Sequence, residues 1–147
     1  MTTINWVVDA DGRFEVSSPE HLVQIMNNGD KYTNTGDAPA NYLEAATKYI
    51  QTVDIDLKNH HSDIVPIGGD EYGYFSGTYD GGGHSVANWE LHDGSNRREY
   101  SAMFGKLHAP DATVKHLRLT GVWKNIGEAN NKAFLVGFIG NTTASVY

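Results

Sequence analysis

At 147 residues the chain is long enough for one domain with its own core, and its net charge of −7 opposes the phosphate-neutralising surface that nucleic-acid binding demands. The absence of cysteine excludes disulfides, thiolate metal sites and a cysteine nucleophile, and no stretch approaches the roughly 18 apolar residues of a membrane span. Sixteen glycines beside 11% aromatic residues favour a turn-rich β architecture over a helical one.

The segment from Met1 to Trp6 lacks a basic stretch followed by an apolar run, so no signal peptide is expected in this chain. From Ile4 to Val16 the sequence reads as a hairpin, with its turn at Asp9-Ala10-Asp11-Gly12. That turn lacks the third oxygen position and the distal glutamate of a calcium loop, and it is read as a plain turn. Ser17-Ser18-Pro19-Glu20 carries a helix start: a hydroxyl for the free amides, a preset φ and an acid at the positive end. Leu22, Ile25 and Met26 share one face of that helix, and Asn27-Asn28-Gly29 ends it. Asp30 to Asn41 reads as a long exposed loop, and Tyr42 to Thr47 as one helical turn. Residues 1–48 are therefore expected to form an amino-terminal hairpin and capping helix, and residues 49–147 a set of β-helix rungs.

The rungs are read from a repeat. Val53, Ile55 and Leu57 alternate with Asp54 and Asp56, which is the pattern of a strand with one buried face. Sliding Phe75 to Leu91 forward by 28 residues sets Gly77 on Gly105, Tyr79 on Leu107, Val86 on Val114 and Trp89 on Leu117. A further 32 residues sets Gly105 on Gly137, Leu107 on Ile139, Thr113 on Ser145 and Val114 on Val146. Offset by 34 residues in the other direction, Ile55 lands on Trp89 and Leu57 on Leu91. Repeats of about 20 to 50 residues mean stacked units that cannot bury their apolar faces alone. The expected inward columns are Ile55/Trp89/Leu117 and Leu57/Leu91/Leu119, and the outward columns are Asp54/Asn88/His116 and Asp56/Glu90/Arg118. The last copy breaks off at Tyr147, so either the chain is part of a longer protein or another chain is expected to continue the stack.

Tyr49 to Leu57, Pro66-Ile67-Gly68, Phe75 to Val86, Ala102 to Gly105 and Phe134 to Gly137 together resemble the GLUG repeat family, over about residues 14 to 147. Ala102 and Phe134 depart from that family, standing where it usually has a first glycine. The resemblance implies a mainly β fold, a right-handed parallel β-helix or solenoid, and surface or adhesion roles, with no catalytic set to carry across.

Chemistry is therefore sought in the outward columns. Asn88, Glu90, His116 and Arg118 are the candidate binding residues. Asp56 and Glu90, one rung apart, with Asp54 and Arg118 beside them, could serve a polysaccharide lyase or glycoside hydrolase. The preferred reading is a solvated polar face on which Glu90 pairs with Arg118. His60-His61 beside Asp63 reads as a solvated loop, and Asp80-Gly81-Gly82-Gly83-His84 as a rung corner without the lysine of a phosphate cradle. Tyr72, Tyr74, Tyr100 and Trp123 offer faces that can stack on sugar rings, whereas Tyr79 falls on a core column. Asn141-Thr142-Thr143 fits a glycosylation acceptor. The chain is thus expected to be a non-enzymatic structural or attachment module of a virion or cell surface. Its partners would be other protein subunits, the remainder of a longer chain, or cell-surface carbohydrate; no metal or cofactor is expected.

Overall fold

The computed structural model describes residues 2–69, 72–91, 98–108, 111–126, 129–140 and 145–146. The first half contains β1 (Thr3–Trp6), β2 (Phe14–Val16), α1 (Pro19–Met26), β3 (Thr33–Gly36), β4 (Lys48–Gln51), β5 (Ile55–Asp56) and a 3-10 turn at His61–Asp63. It continues with β6 (Thr78–Asp80), β7 (Ser85–Ala87), β8 (Glu90–Leu91), β9 (Arg98–Ser101), β10 (Phe104–His108) and β11 (Thr113–Lys115). The last strands are β12 (Arg118–Thr120), β13 (Lys124–Asn125), β14 (Ala129–Lys132), β15 (Val136–Gly140) and β16 (Ser145–Val146).

Every pairing between these strands is parallel. A parallel partner cannot be reached by a tight turn, so the chain completes a coil before it returns to each sheet. The longest sheet runs β2-β4-β6-β11-β16, a second runs β5-β7-β12, and β8-β13, β9-β14 and β10-β15 close the later coils. The result is a mainly β chain wound as a β-solenoid of about 4 coils with one short helix.

The helix starts as its sequence requires: the Ser18 side chain accepts from the His21 amide and Pro19 opens the first turn. It is buried from His21 through Met26 rather than along one face only. Gln24 is accommodated there because its Oε1 accepts from the amides of Lys31 and Tyr32, at 3.0 and 2.8 Å. The polar segment expected to be a loop contains β3, which pairs with β1 from Thr3↔Thr33 to Trp6↔Gly36. The turn at Asp9 does fold back, with Glu15 N donating to Val7 O and an antiparallel bridge from Val8 to Phe14. The flanking strands β1 and β2, however, run into two different parallel sheets. Residues 42–47 form turns rather than a helix, closed by Thr47 N donating to Glu44 O.

The repeat registers divide into one that holds and two that do not. The 32-residue step is the observed pairing: Leu107↔Ile139, Thr113↔Ser145 and Val114↔Val146. The 28-residue step is not, because Tyr79 pairs with Tyr49 and Val114, and Leu107 pairs with Phe75. Glycine-containing strings recur at two different corners of the coil, and sliding one onto the other joins unlike corners. A Cβ on Gly105 would lie 2.3 Å from the Gly68 carbonyl oxygen, and one on Gly137 2.8 Å from that of Gly105, so the close-approach glycine column is Gly68/Gly105/Gly137. Gly77 instead approaches Thr47 O and receives the Thr113 amide.

The inward and outward columns shift for a related reason. Ile55 pairs with Val86, and Val86 with Leu119, so neither Ile55/Trp89/Leu117 nor Leu57/Leu91/Leu119 is a column. Asn88 has φ 60° and breaks β7 from β8, letting Val86 and Trp89 both face inward although an unbroken strand would place them on opposite sides. Val53 is likewise turned out, 41% exposed, at the corner between β4 and β5, while Ile55 and Leu57 are buried. The core is strongly aromatic: Tyr49 and Tyr79 lie 6.3 Å apart in one column, and Phe104 packs on Tyr79 at 5.7 Å and on Phe75 at 5.3 Å. Buried hydroxyls there are bonded, Tyr49 to Tyr42 O and Tyr79 to Gln51 Oε1, each at 2.8 Å. Burial pushes the pKa of both phenols above the ordinary tyrosine range.

Candidate functional site

The outward carboxylates sit at corners, and their register partners are not the expected ones. Asp56 pairs in register with Ala87, and its Oδ1 accepts from Asn88 Nδ2 and from the Lys58 amide, both at 2.9 Å. Asn88 Oδ1 in turn accepts from the Val122 amide at 2.9 Å, so one side chain stitches three successive coils. Gly121 lies beneath it with φ 69°, and a Cβ there would come within 2.5 Å of Asn88 Oδ1. The Asn88 amide, then the Lys58 backbone N–H, hold the Asp56 carboxyl below its ordinary 3.8.

Asp54 occupies a separate corner. Its Oδ1 accepts from the Ser85 amide at 3.0 Å and meets His84 Nδ1 at 3.2 Å, and these contacts lower its pKa. Arg118 belongs with this group, since it pairs in register with Ser85 and its charge also lowers the Asp54 pKa. His116, another left-handed corner residue at φ 54°, meets Asp80 Oδ1 at 3.1 Å rather than Asp54 or Asn88. Burial works against the Asp80 carboxylate, but the Gly82 amide and His116 outweigh it and its pKa is lowered. Asp80 closes one side of a cleft of about 330 Å³ lined also by Asp11, Arg13, Lys48, Thr78 and Lys115, where Arg13 Nη1 stands 3.6 Å from Asp80.

Glu90 is the one expected acid drawn inward, with 16% of its side chain exposed. It forms an ion pair with Lys124, at 3.7 Å and in direct register, and among the described residues Arg118 is not one of its partners. His61, which the sequence reading left in a solvated loop, joins this group: Nε2 lies 2.9 Å from Asn88 O and Nδ1 3.3 Å from Glu90 Oε2. Since a carbonyl can only accept, Nε2 donates to Asn88, and the Nδ1–carboxylate contact is attractive only when the ring carries its second proton. Asp56, Asn88 and His61 thus form one hydrogen-bonded chain across the corner, with Glu90 in contact at its end. Among the described residues, no group of three or more His, Asp and Glu side chains has the geometry to hold a metal.

The larger departure from a finished fold is apolar and lies in the last coil. Leu107 is fully buried, whereas Ile139, its register partner one coil on, is 44% exposed. Trp89 is fully buried, whereas Trp123, stacked on it at 5.3 Å and 16°, is half-buried. Ile126 and Phe134 are 59% and 51% exposed, and beside Phe134 a hollow of about 220 Å³ is lined also by Asn125, Lys132 and Ala133. At the other end the helix and first coils are closed, with Val16, Leu22, Val23, Ile25 and Met26 fully buried. Trp123 could be suspected from the sequence as an exposed ring, and Phe134 stands at a repeat position that gives no sign of exposure, whereas Ile126 carries no repeat signal. The Asn141 acceptor and Tyr147 lie outside the described residues. Among the described residues, no helix is long and apolar enough to cross a membrane. Comparison with known proteins found no matching family model, no matching curated protein and no matching solved structure.

Proposed function

We propose that the chain is a non-enzymatic structural or attachment module of a virion or cell surface, whose last described coil is covered by a further β edge, from another protein subunit or from the remainder of a longer chain. The observation that carries this reading is the change of exposure along single core columns, from buried Leu107 to 44% exposed Ile139. Apolar surface left in water forgoes about 25 cal/mol per Å². A bare coil end also offers unpaired strand edges to any chain able to continue them. A GLUG-type kinship is part of the same proposal, supported by the solenoid and by the Gly68/Gly105/Gly137 column. The polysaccharide-cleaving alternative is the less supported reading among the described residues, since Asp54 and Asp56 each accept a backbone amide and Glu90 is paired with Lys124.

Sedimentation velocity over a concentration series, together with binding of a hydrophobic fluorescent dye, tests the reading. Self-association or dye binding is expected for the native chain, and both should fall in Ile126→Glu and Phe134→Glu variants that keep the native circular dichroism. A chain that stays a monodisperse monomer at its highest soluble concentration and binds no dye would overturn the proposal.

A further inference from the structure

A second surface lies on the outside of the solenoid, where β10 and β15 alternate. Along β10, Leu107 is fully buried, and its neighbours Lys106 and His108, which alternate with it, are only partly buried and face outward. Lys106 pairs in register with Phe138 on β15, and the Phe75↔Leu107 bridge brings Tyr74 beside Lys106 from the preceding coil. Three coils therefore present Tyr74, Lys106 and Phe138 in one outward line. Lys106 Nζ stands 4.5 Å from the Tyr74 ring centroid and 5.7 Å from that of Tyr100. Tyr100 stacks on Phe138 at 4.8 Å and 26°, and His108 packs against Tyr74 at 5.2 Å. Tyr74 and Phe138 remain 38% exposed each. Gly140, opposite His108, keeps the space between them clear: a Cβ there would come within 3.1 Å of Tyr74 and 3.2 Å of Phe138.

Outward rings on this strand do no work for the core, which the inward positions already fill. We infer that the Tyr74–Lys106–Phe138 line is a binding site for an acidic polysaccharide. Aromatic faces accept the C–H face of a pyranose ring, and an ammonium held among rings accepts its carboxylate or sulfate. Successive coils rise by about 4.8 Å, so a saccharide lying along the solenoid axis meets ring, cation and ring in turn. Lys106 has no carboxylate partner among the described residues, so its charge is available to an incoming anion. The net charge of −7 repels polyanions elsewhere on the chain, which makes any such binding a local property of this line. The site is on a different face from the bare coil end, and its failure would leave the assembly reading untouched.

The test is isothermal titration calorimetry of the full chain with polygalacturonate and with heparin, against dextran as a neutral sugar and poly-glutamate as an acidic non-sugar. Binding to at least one acidic polysaccharide is expected, weakened by salt and reduced about tenfold in Lys106→Gln, equivalent to about 1.4 kcal/mol. Tyr74→Ser should weaken it to a similar degree, with thermal unfolding of both variants close to that of the native chain because both side chains lie outside the core. Absence of binding to both acidic polysaccharides would overturn the inference. So would equal binding to dextran or poly-glutamate, or binding unchanged in Lys106→Gln and Tyr74→Ser.

Discussion

Asn88→Ala tests whether the best-placed outward polar residue exists to make a corner. The substitution removes two side-chain hydrogen bonds, to Asp56 Oδ1 and from the Val122 amide, each 2.9 Å long. At about 0.5 to 1.5 kcal/mol for each bond, that loss comes to about 1 to 3 kcal/mol. It also places a Cβ-bearing residue with no local side-chain bond at φ 60°, a conformation costing roughly 1 kcal/mol more for alanine than for asparagine or glycine. The expected destabilisation is about 2 to 4 kcal/mol for alanine, and about 1 kcal/mol less for Asn88→Gly, which accepts the positive φ. Urea unfolding followed by tryptophan fluorescence would measure both, because Trp89 is the next residue in the chain. Alanine tolerated as well as glycine, or both at native stability, would refute the corner argument and restore Asn88 as a surface residue free for a ligand.

Acid should act through the same corners. Asp54, Asp56 and Asp80 have folded pKa values below 3.8, so the stability they contribute is complete above the unfolded carboxylate range and is lost as pH falls through the folded values. Thermal melts are expected to show this acid loss below about pH 4, with a shallower acid limb in Asp80→Asn. Gly105→Ala, whose Cβ would meet the Gly68 carbonyl oxygen at 2.3 Å, should cost more than Gly137→Ala, where the same contact is 2.8 Å; chemical denaturation of the pair gives the order. Trp89→Phe should cost little beyond lost packing, since the buried indole Nε1 has no hydrogen-bond partner among the described residues, whereas Trp89→Ala should cost about 3 to 5 kcal/mol. Equal losses for the two Trp89 variants in the same assay would contradict that account.

The fold was legible because stacking leaves a periodic trace. Ser18 and Pro19 announced the helix, Ile55 and Leu57 announced a half-buried strand, and the 32-residue step from Leu107 to Ile139 is the true register. Registers nearer the middle were not legible, because a coil can lengthen at a corner without disturbing the apolar pattern on either side. Asn88 and His116 turn such corners at positive φ without glycine, and although Asn and His tolerate that conformation better than most residues, the apolar pattern around them read as continuous strand. The site suffered from the same cause. The expected columns set Asp56 and Asn88 apart, yet the two are hydrogen-bonded; Glu90 pairs with Lys124, Arg118 groups with Asp54, and His61 enters from a turn assigned to solvent.

That rearrangement changes where function should be sought. In a solenoid the residues most conspicuous in sequence, acids and asparagine among glycines, are those that bond the backbone where one sheet gives way to the next. Asp54 holds the Ser85 amide, Asp56 the Lys58 amide, Asp80 the Gly82 amide and Asn88 the Val122 amide. A ligand would have to compete with those bonds and loosen the corner to use these groups, at about 1 kcal/mol or more for each amide left unpaired. Surfaces that ask for no such sacrifice are apolar or aromatic: the bare face around Ile126, Phe134 and Ile139, and the outward line of Tyr74, Lys106 and Phe138. Seating another β-coil on the first, or a charged sugar on the second, would undo no corner, and on that energetic ground the proposed partner contacts are assigned to these surfaces rather than to the corners.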